Sequence, residues 1–197
     1  MNNIVFIEGI SGVGKTTATA MLHDKLLEMG YNVSSYLEGD HDNPLDPFRG
    51  TYPPAIPLIA FSETYLQCWR NFMENQLKKD VILIVDGTLF HHQINDLIRG
   101  YGASDEVVSN HILKLLDVIQ LLNPIVFYLL PSDVGKCLTQ ARISRKQSLP
   151  TEEQTAFWEN RKRVDLYVLE RLSVESHVQN IDGGWSEIVE TMIGHLV

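Results

Sequence analysis

The chain has 197 residues, 44% of them hydrophobic, with a formal net charge of −9 and two cysteines. That length suits one domain with a substantial core, and the acidic balance argues against a broad nucleic-acid surface. Cys68 and Cys137 are too few for a zinc site, and reduced thiols of a cytoplasmic protein are the expectation.

The residues Asn3–Glu8 read as a first strand. They run into Gly9-Ile10-Ser11-Gly12-Val13-Gly14-Lys15-Thr16-Thr17, which fits the phosphate-binding pattern G-x-x-x-x-G-K-[ST] between a strand and a helix. In such a loop the backbone N–H groups turn toward phosphate oxygens, and the following helix adds partial positive charge. Lys15 is expected to reach the β- and γ-phosphates of ATP, while the Thr16 hydroxyl joins the shell of a Mg²⁺ ion. The donor-binding set is therefore Gly9, Ser11, Gly12, Val13, Gly14, Lys15, Thr16 and Thr17.

A helix over 15–29 carries Ala18, Leu22, Leu26 and Met29 at helical spacing, and Gly30 stops it. A second strand, 32–37, opens into a segment running from Glu38 to Pro57 with five prolines, which excludes a regular element. Such a long loop is expected to be functional. The helix 58–78 stacks Phe61, Tyr65, Trp69 and Phe72 on a core face. Val81–Val85 reads as a central strand buried on both sides, ending in Asp86-Gly87-Thr88. Helices follow over 89–99 and 105–122, the latter N-capped by Ser104. A strand over 125–130 leads to a helix ending in Arg142-Ile143-Ser144-Arg145-Lys146. After a break at 147–150 come a helix over 152–172, a strand over 177–181 and a last helix from Ser186. No stretch is apolar for long enough to cross a bilayer, and no leader pattern stands before the first strand, so no membrane partner is expected.

Several residues carry the chemistry. Asp86 ends a buried strand, where open α/β sheets place ligands, and is expected to orient Mg²⁺ or the acceptor hydroxyl. Glu38 and Asp40 follow the neighbouring strand and suit the removal of a proton from an acceptor. Glu8 sits at a buried strand end and needs a defined partner. Arg142 and Arg145 share one face of a helix end and suit stabilisation of the transferring phosphoryl group, with Arg161 and Arg163 across the break. His91-His92 are adjacent, point about 100° apart on a helix, and read as a helix-surface pair; His41 reads as an exposed loop residue.

The opening FIEGISGVGKTT, the helix carrying Phe61 and Gln67 ahead of Asp86, the stretch Tyr128–Val134 with Ala141, Arg142 and Arg145, and the ending Ile181-Asp182-Gly183-Gly184 together resemble the nucleoside-monophosphate kinases, most closely the thymidylate kinase group. The resemblance spans nearly the whole chain. It implies a single three-layer α/β/α domain over 1–197, a five-stranded parallel sheet in the order 2-3-1-4-5, and a short lid at about 142–163. It also implies Mg²⁺- and ATP-dependent phosphoryl transfer, with Lys15, Asp86, Glu38, Arg142 and Arg145 catalytic and Thr16 and Asp86 at the metal. Two positions depart from that group. Its strand three ends in Asp-Arg, where this chain has Asp86-Gly87, and its helix arginine is replaced by Tyr65. With carboxylates at 38, 40, 42 and 46 and no cation before Arg49, the acceptor can be a nucleotide, a nucleoside or an amino-sugar antibiotic. A nucleotide-dependent switch acting through a protein partner is the reading from another class, although a guanine-selecting N-K-x-D motif is absent. A homodimer is compatible with this group.

Overall fold

The computed structural model describes residues 4–38, 40, 43–48 and 55–196. Its elements run β1 (Ile4–Glu8), α1 (Lys15–Glu28), β2 (Val33–Tyr36), α2 (Leu58–Gln76), β3 (Ile82–Asp86), α3 (Gln93–Tyr101), α4 (Asp105–Ile119), β4 (Pro124–Leu130), α5 (Val134–Ser144), α6 (Glu152–Leu169), β5 (Glu175–Asn180) and α7 (Trp185–Leu196). The five strands pair in parallel in the order β2-β3-β1-β4-β5, as the resemblance implied.

Period-two alternation along each central strand divides the core into two layers. Ile4 and Phe6 of β1 face α2, α3, α4 and α6, together with Leu83, Val85, Val126 and Tyr128. Val5 and Ile7 face α1, α5 and α7, with Ile84, Ile125 and Phe127. Both faces of β1, β3 and β4 are therefore covered, which explains their unbroken apolar runs. The aromatic stripe of α2 is core: Phe61, Tyr65 and Trp69 are fully buried, and the Trp69 ring stacks on Phe6 at 5.8 Å.

Caps mark the helix ends. Ser104 accepts from the Val107 N–H at the start of α4, and Asp133 accepts from the Lys136 N–H at the start of α5. Thr151 and Gln154 form a reciprocal capping box on α6. Several boundaries shift by one to three residues from the sequence reading, and three stretches show why. The stretch after β3 begins with a π-helical turn, Thr88–His92, before α3. The end of the 105–122 helix tightens into a 3₁₀ turn over 120–122. The fifth strand starts two residues earlier, at Glu175, because it pairs with β4 from Ile125 onward. Cys68 and Cys137 are unpaired. No described helix is long and apolar enough to cross a membrane.

Candidate phosphoryl-transfer site

The C-terminal ends of β1, β3 and β2 bring Glu8, Asp86 and Glu38 to one crevice beside the loop that opens α1. Lys15 is 5% exposed; its Nζ lies 3.4 Å from the Ile10 carbonyl and 3.2 Å from Glu38 Oε2. Thr16 Oγ1 donates to Asp86 Oδ2 at 2.6 Å. Asp86 is fully buried, and its Oδ1 has no hydrogen-bond partner among the described residues. A hydroxyl and a half-satisfied carboxylate, both hard oxygen donors, fit a Mg²⁺ ion. Burial raises the Asp86 pKa against the opposing pull of Lys15 and the Thr16 hydrogen bond.

Glu8 is fully buried as well. Its Oε1 accepts from the Leu89 N–H at 2.8 Å, whereas Oε2 has no hydrogen-bond partner among the described residues. Desolvation pushes its pKa up to about 8, with Lys15 opposing. The partner expected for this acid is therefore a backbone amide of the turn after β3.

Glu38 is the hub of the crevice. Its Oε2 meets Lys15, and its Oε1 lies 3.3 Å from His91 Nε2. His91 is only 8% exposed, which overturns its reading as part of a helix-surface pair. The left-handed turn at Gly87 (φ 64°) and the π-helical winding behind it carry the His91 ring inward. There it stacks on Trp158 of α6 at 5.2 Å, and burial together with nearby Lys15 and Arg161 holds its pKa well below the usual imidazole range. His91 is thus neutral beside Glu38.

Gly87 stands where the resemblance to the thymidylate kinase group would place an arginine, and a side chain there would crowd its neighbours. A Cβ at this position would stand 2.8 Å from Lys15 Cε and 2.9 Å from Glu38 Oε2. The Lys15–Glu38 pair occupies the room a side chain would need. Tyr65, at the second departure, is sealed in the core with its hydroxyl donating to Asp46 Oδ1 at 3.2 Å.

The described part of the proline-rich segment is tied down. Asn43 donates to Thr88 Oγ1 at 2.8 Å, Cys68 Sγ to the Pro44 carbonyl at 2.8 Å, and Trp69 Nε1 to the Leu45 carbonyl at 3.1 Å. Asp40 shapes a turn by accepting from the Leu37 N–H at 2.7 Å. Asp96 of α3 is buried nearby, and desolvation plus the Asp46 charge push its pKa up to about 7. His41, Asp42 and Arg49 lie outside the described residues.

The arginines divide. In α5, Ala141 fills the space a Gly12 side chain would need, 2.5 Å from such a Cβ. Arg145 follows Ala141 by four residues, shares that face of the helix end and is exposed. Arg142 is half-buried, 3.4 Å from Gln154 Oε1 of the α6 capping box. Arg161 is no free lid arginine. It is fully buried, with Nε donating to Asp165 Oδ1 at 2.7 Å, Nη1 donating to Asn95 Oδ1 and the His91 carbonyl, and Tyr128 donating to Asp165 at 2.9 Å. Arg163 pairs with Asp105 at the surface. Arg70 lies on the exposed side of α2. On the donor side, the Trp185 ring takes the place of a Gly14 side chain, so the Ile181–Gly184 turn runs beside the phosphate loop.

Sheet order, loop and flanking helices define the fold of the P-loop kinases. Two solved structures share it: the YorR protein of Bacillus subtilis in complex with phosphorylated GDP (TM-score 0.62, 14% identity, 98% of this chain and 95% of that one), and thymidylate kinase from Ehrlichia chaffeensis (TM-score 0.58, 15% identity, 98% of each chain). No protein family and no curated protein sequence matches the chain. The likeness to thymidylate kinase therefore holds at the level of the fold.

Proposed function

We propose that this protein is a P-loop kinase that transfers the γ-phosphoryl group of Mg·ATP to a small molecule of the nucleoside or nucleotide class. The observation that carries the reading is the junction of Lys15, Glu38, Thr16 and Asp86, where donor and acceptor groups meet within hydrogen-bond distance. The loop amides and Lys15 hold the donor phosphates. Thr16 and Asp86 would hold Mg²⁺, which neutralises charge on the β- and γ-phosphates when bound. Arg145, with Arg142 behind it, covers the transferring group from the α5 end.

On the acceptor side, Glu38 accepts the proton of the attacking hydroxyl, and neutral His91 keeps its second oxygen oriented. Lys15 exchanges Glu38 for phosphate oxygens as the donor enters. Within the nucleoside and nucleotide class, the carboxylates of Glu38 and Asp46 favour a hydroxyl acceptor over a second phosphate, because like charges repel at about 1 kcal/mol per close pair even in water. A nucleoside monophosphate is the second reading, supported by the fold shared with thymidylate kinase.

The test is Mg·ATP consumption by the full chain, alone and with nucleosides, nucleoside monophosphates and aminoglycosides in turn. Stimulation by a nucleoside or a nucleoside monophosphate, lost in Lys15→Ala, supports the reading; stimulation by an aminoglycoside alone would replace it with an antibiotic-modifying kinase. Acceptor-independent turnover that none of these compounds stimulates would sink it in favour of a nucleotide-dependent switch.

A further inference from the structure

The edge strand β5 reverses the usual pattern of its layer. Val178 faces outward, 49% exposed, whereas Glu175 and His177, two residues apart and so on the same face, turn toward the last turn of α7. His195 of α7 meets them there. The His177 and His195 rings stack at 3.6 Å with 26° between planes, Phe127 of β4 lies under His177 at 5.4 Å, and His177 Nε2 is 2.8 Å from Glu175 Oε1. One ligand atom from each of the three side chains falls within 4.8 Å of the others. A strand–helix contact that elsewhere in this layer is filled by Ile, Val and Met is here made by two imidazoles and a carboxylate.

We propose that Glu175, His177 and His195 form a binding site for a borderline divalent cation of the zinc class, which clamps β5 to α7. Two imidazoles and one carboxylate suit Zn²⁺, Ni²⁺ or Cu²⁺ rather than Mg²⁺, which prefers an all-oxygen octahedron. Tetrahedral Zn²⁺ with bonds of about 2.0–2.1 Å needs donors about 3.4 Å apart. To share one ion from this 4.8 Å arrangement the two stacked imidazoles must turn out of their near-parallel planes, and the exposure of Glu175 and His195 leaves them room to do so. The ion replaces the proton shared by His177 and Glu175. Three protein ligands leave the fourth position to water. Because β5 and α7 flank the Ile181–Gly184 turn and Trp185 beside Gly14, an ion here stiffens the donor side of the phosphate loop without entering it.

Tag-free full-length protein is titrated with Zn²⁺ by calorimetry and followed by thermal melting. The expected result is one equivalent bound and a Tm raised by about 5–10 °C when free Zn²⁺ is 100-fold above Kd. Mg²⁺ without nucleotide should give no such rise. His195→Gln and Glu175→Gln, both at exposed positions, should each weaken Zn²⁺ binding tenfold or more while melting like the wild type in chelator. Lys15→Ala should keep the full zinc response. No uptake, or uptake unchanged in both site variants, overturns the proposal. So does loss of the response in Lys15→Ala, which would put the ion at the phosphate loop.

Discussion

Substituting Gly87 with alanine separates the role of its neighbours in folding from their role in ligand binding. The added Cβ would come within 2.8 Å of Lys15 Cε and 2.9 Å of Glu38 Oε2, both at the far ends of flexible side chains that can swing away. The folding cost is therefore mostly the left-handed backbone (φ 64°), about 1–2 kcal/mol, or a Tm lower by about 2–8 °C. The binding cost is larger. Moving Lys15 aside forfeits a charge-assisted contact with phosphate of about 1.5–3 kcal/mol, which weakens Mg·ATP binding about ten- to hundredfold. Calorimetric titration of Mg·ATP, paired with a melting curve, reads both quantities. Wild-type affinity in Gly87→Ala would refute the idea that the Lys15–Glu38 junction fills this space. A Tm drop well beyond 8 °C would show that the crowding is structural instead.

Glu8 sets a pH dependence. Its folded-state pKa of about 8 stands above the ordinary 4.5, so the folded protein holds a proton the unfolded chain releases, and stability falls as pH rises from about 4.5 to 8. That displacement caps the effect at about 5 kcal/mol. Glu8→Gln should flatten the loss, raising Tm more at pH 8 than at pH 5 in matched melts; an equal change at both pH values would contradict the assignment. In single-turnover assays with an identified acceptor, Arg145→Ala should slow transfer by about 10³-fold with little change in donor affinity, whereas Arg142→Ala should cost less. The reverse ranking would mean that Arg142 reaches the γ-phosphate.

The phosphate loop and the clustering of Glu8, Glu38 and Asp86 were readable because each depends on local pattern: a motif between strand and helix, and carboxylates at strand ends; the strand order was legible only through the resemblance to the thymidylate kinase group. His91 was not. Adjacent residues on an α-helix diverge by about 100°, so a His-His pair reads as surface; here Gly87 in the left-handed region and a π-helical turn rotate the first histidine inward. The neighbouring Leu89 and Phe90, both fully buried, were the signal that this turn faces the core. Arg161 was ambiguous for another reason. Its partner Asp165 lies four residues on, a spacing that fits a solvated pair as well as a buried one, and only packing under Tyr128 and Asn95 decides. Tyr65 and Asp46 meet through a fold-back of the proline-rich segment that no periodicity encodes.

The central claim is that Glu38 takes the acceptor's proton beside a Lys15-held donor. It is tested most directly by transfer of a labelled γ-phosphate from Mg·ATP to nucleosides and to their monophosphates, by wild type and Glu38→Gln. The account predicts a labelled product with a nucleoside acceptor in the wild type. In Glu38→Gln that product should form at least about 10²-fold more slowly, with donor binding as tight as or tighter than in the wild type, since Lys15 no longer has Glu38 to leave. Unchanged transfer in Glu38→Gln would contradict it.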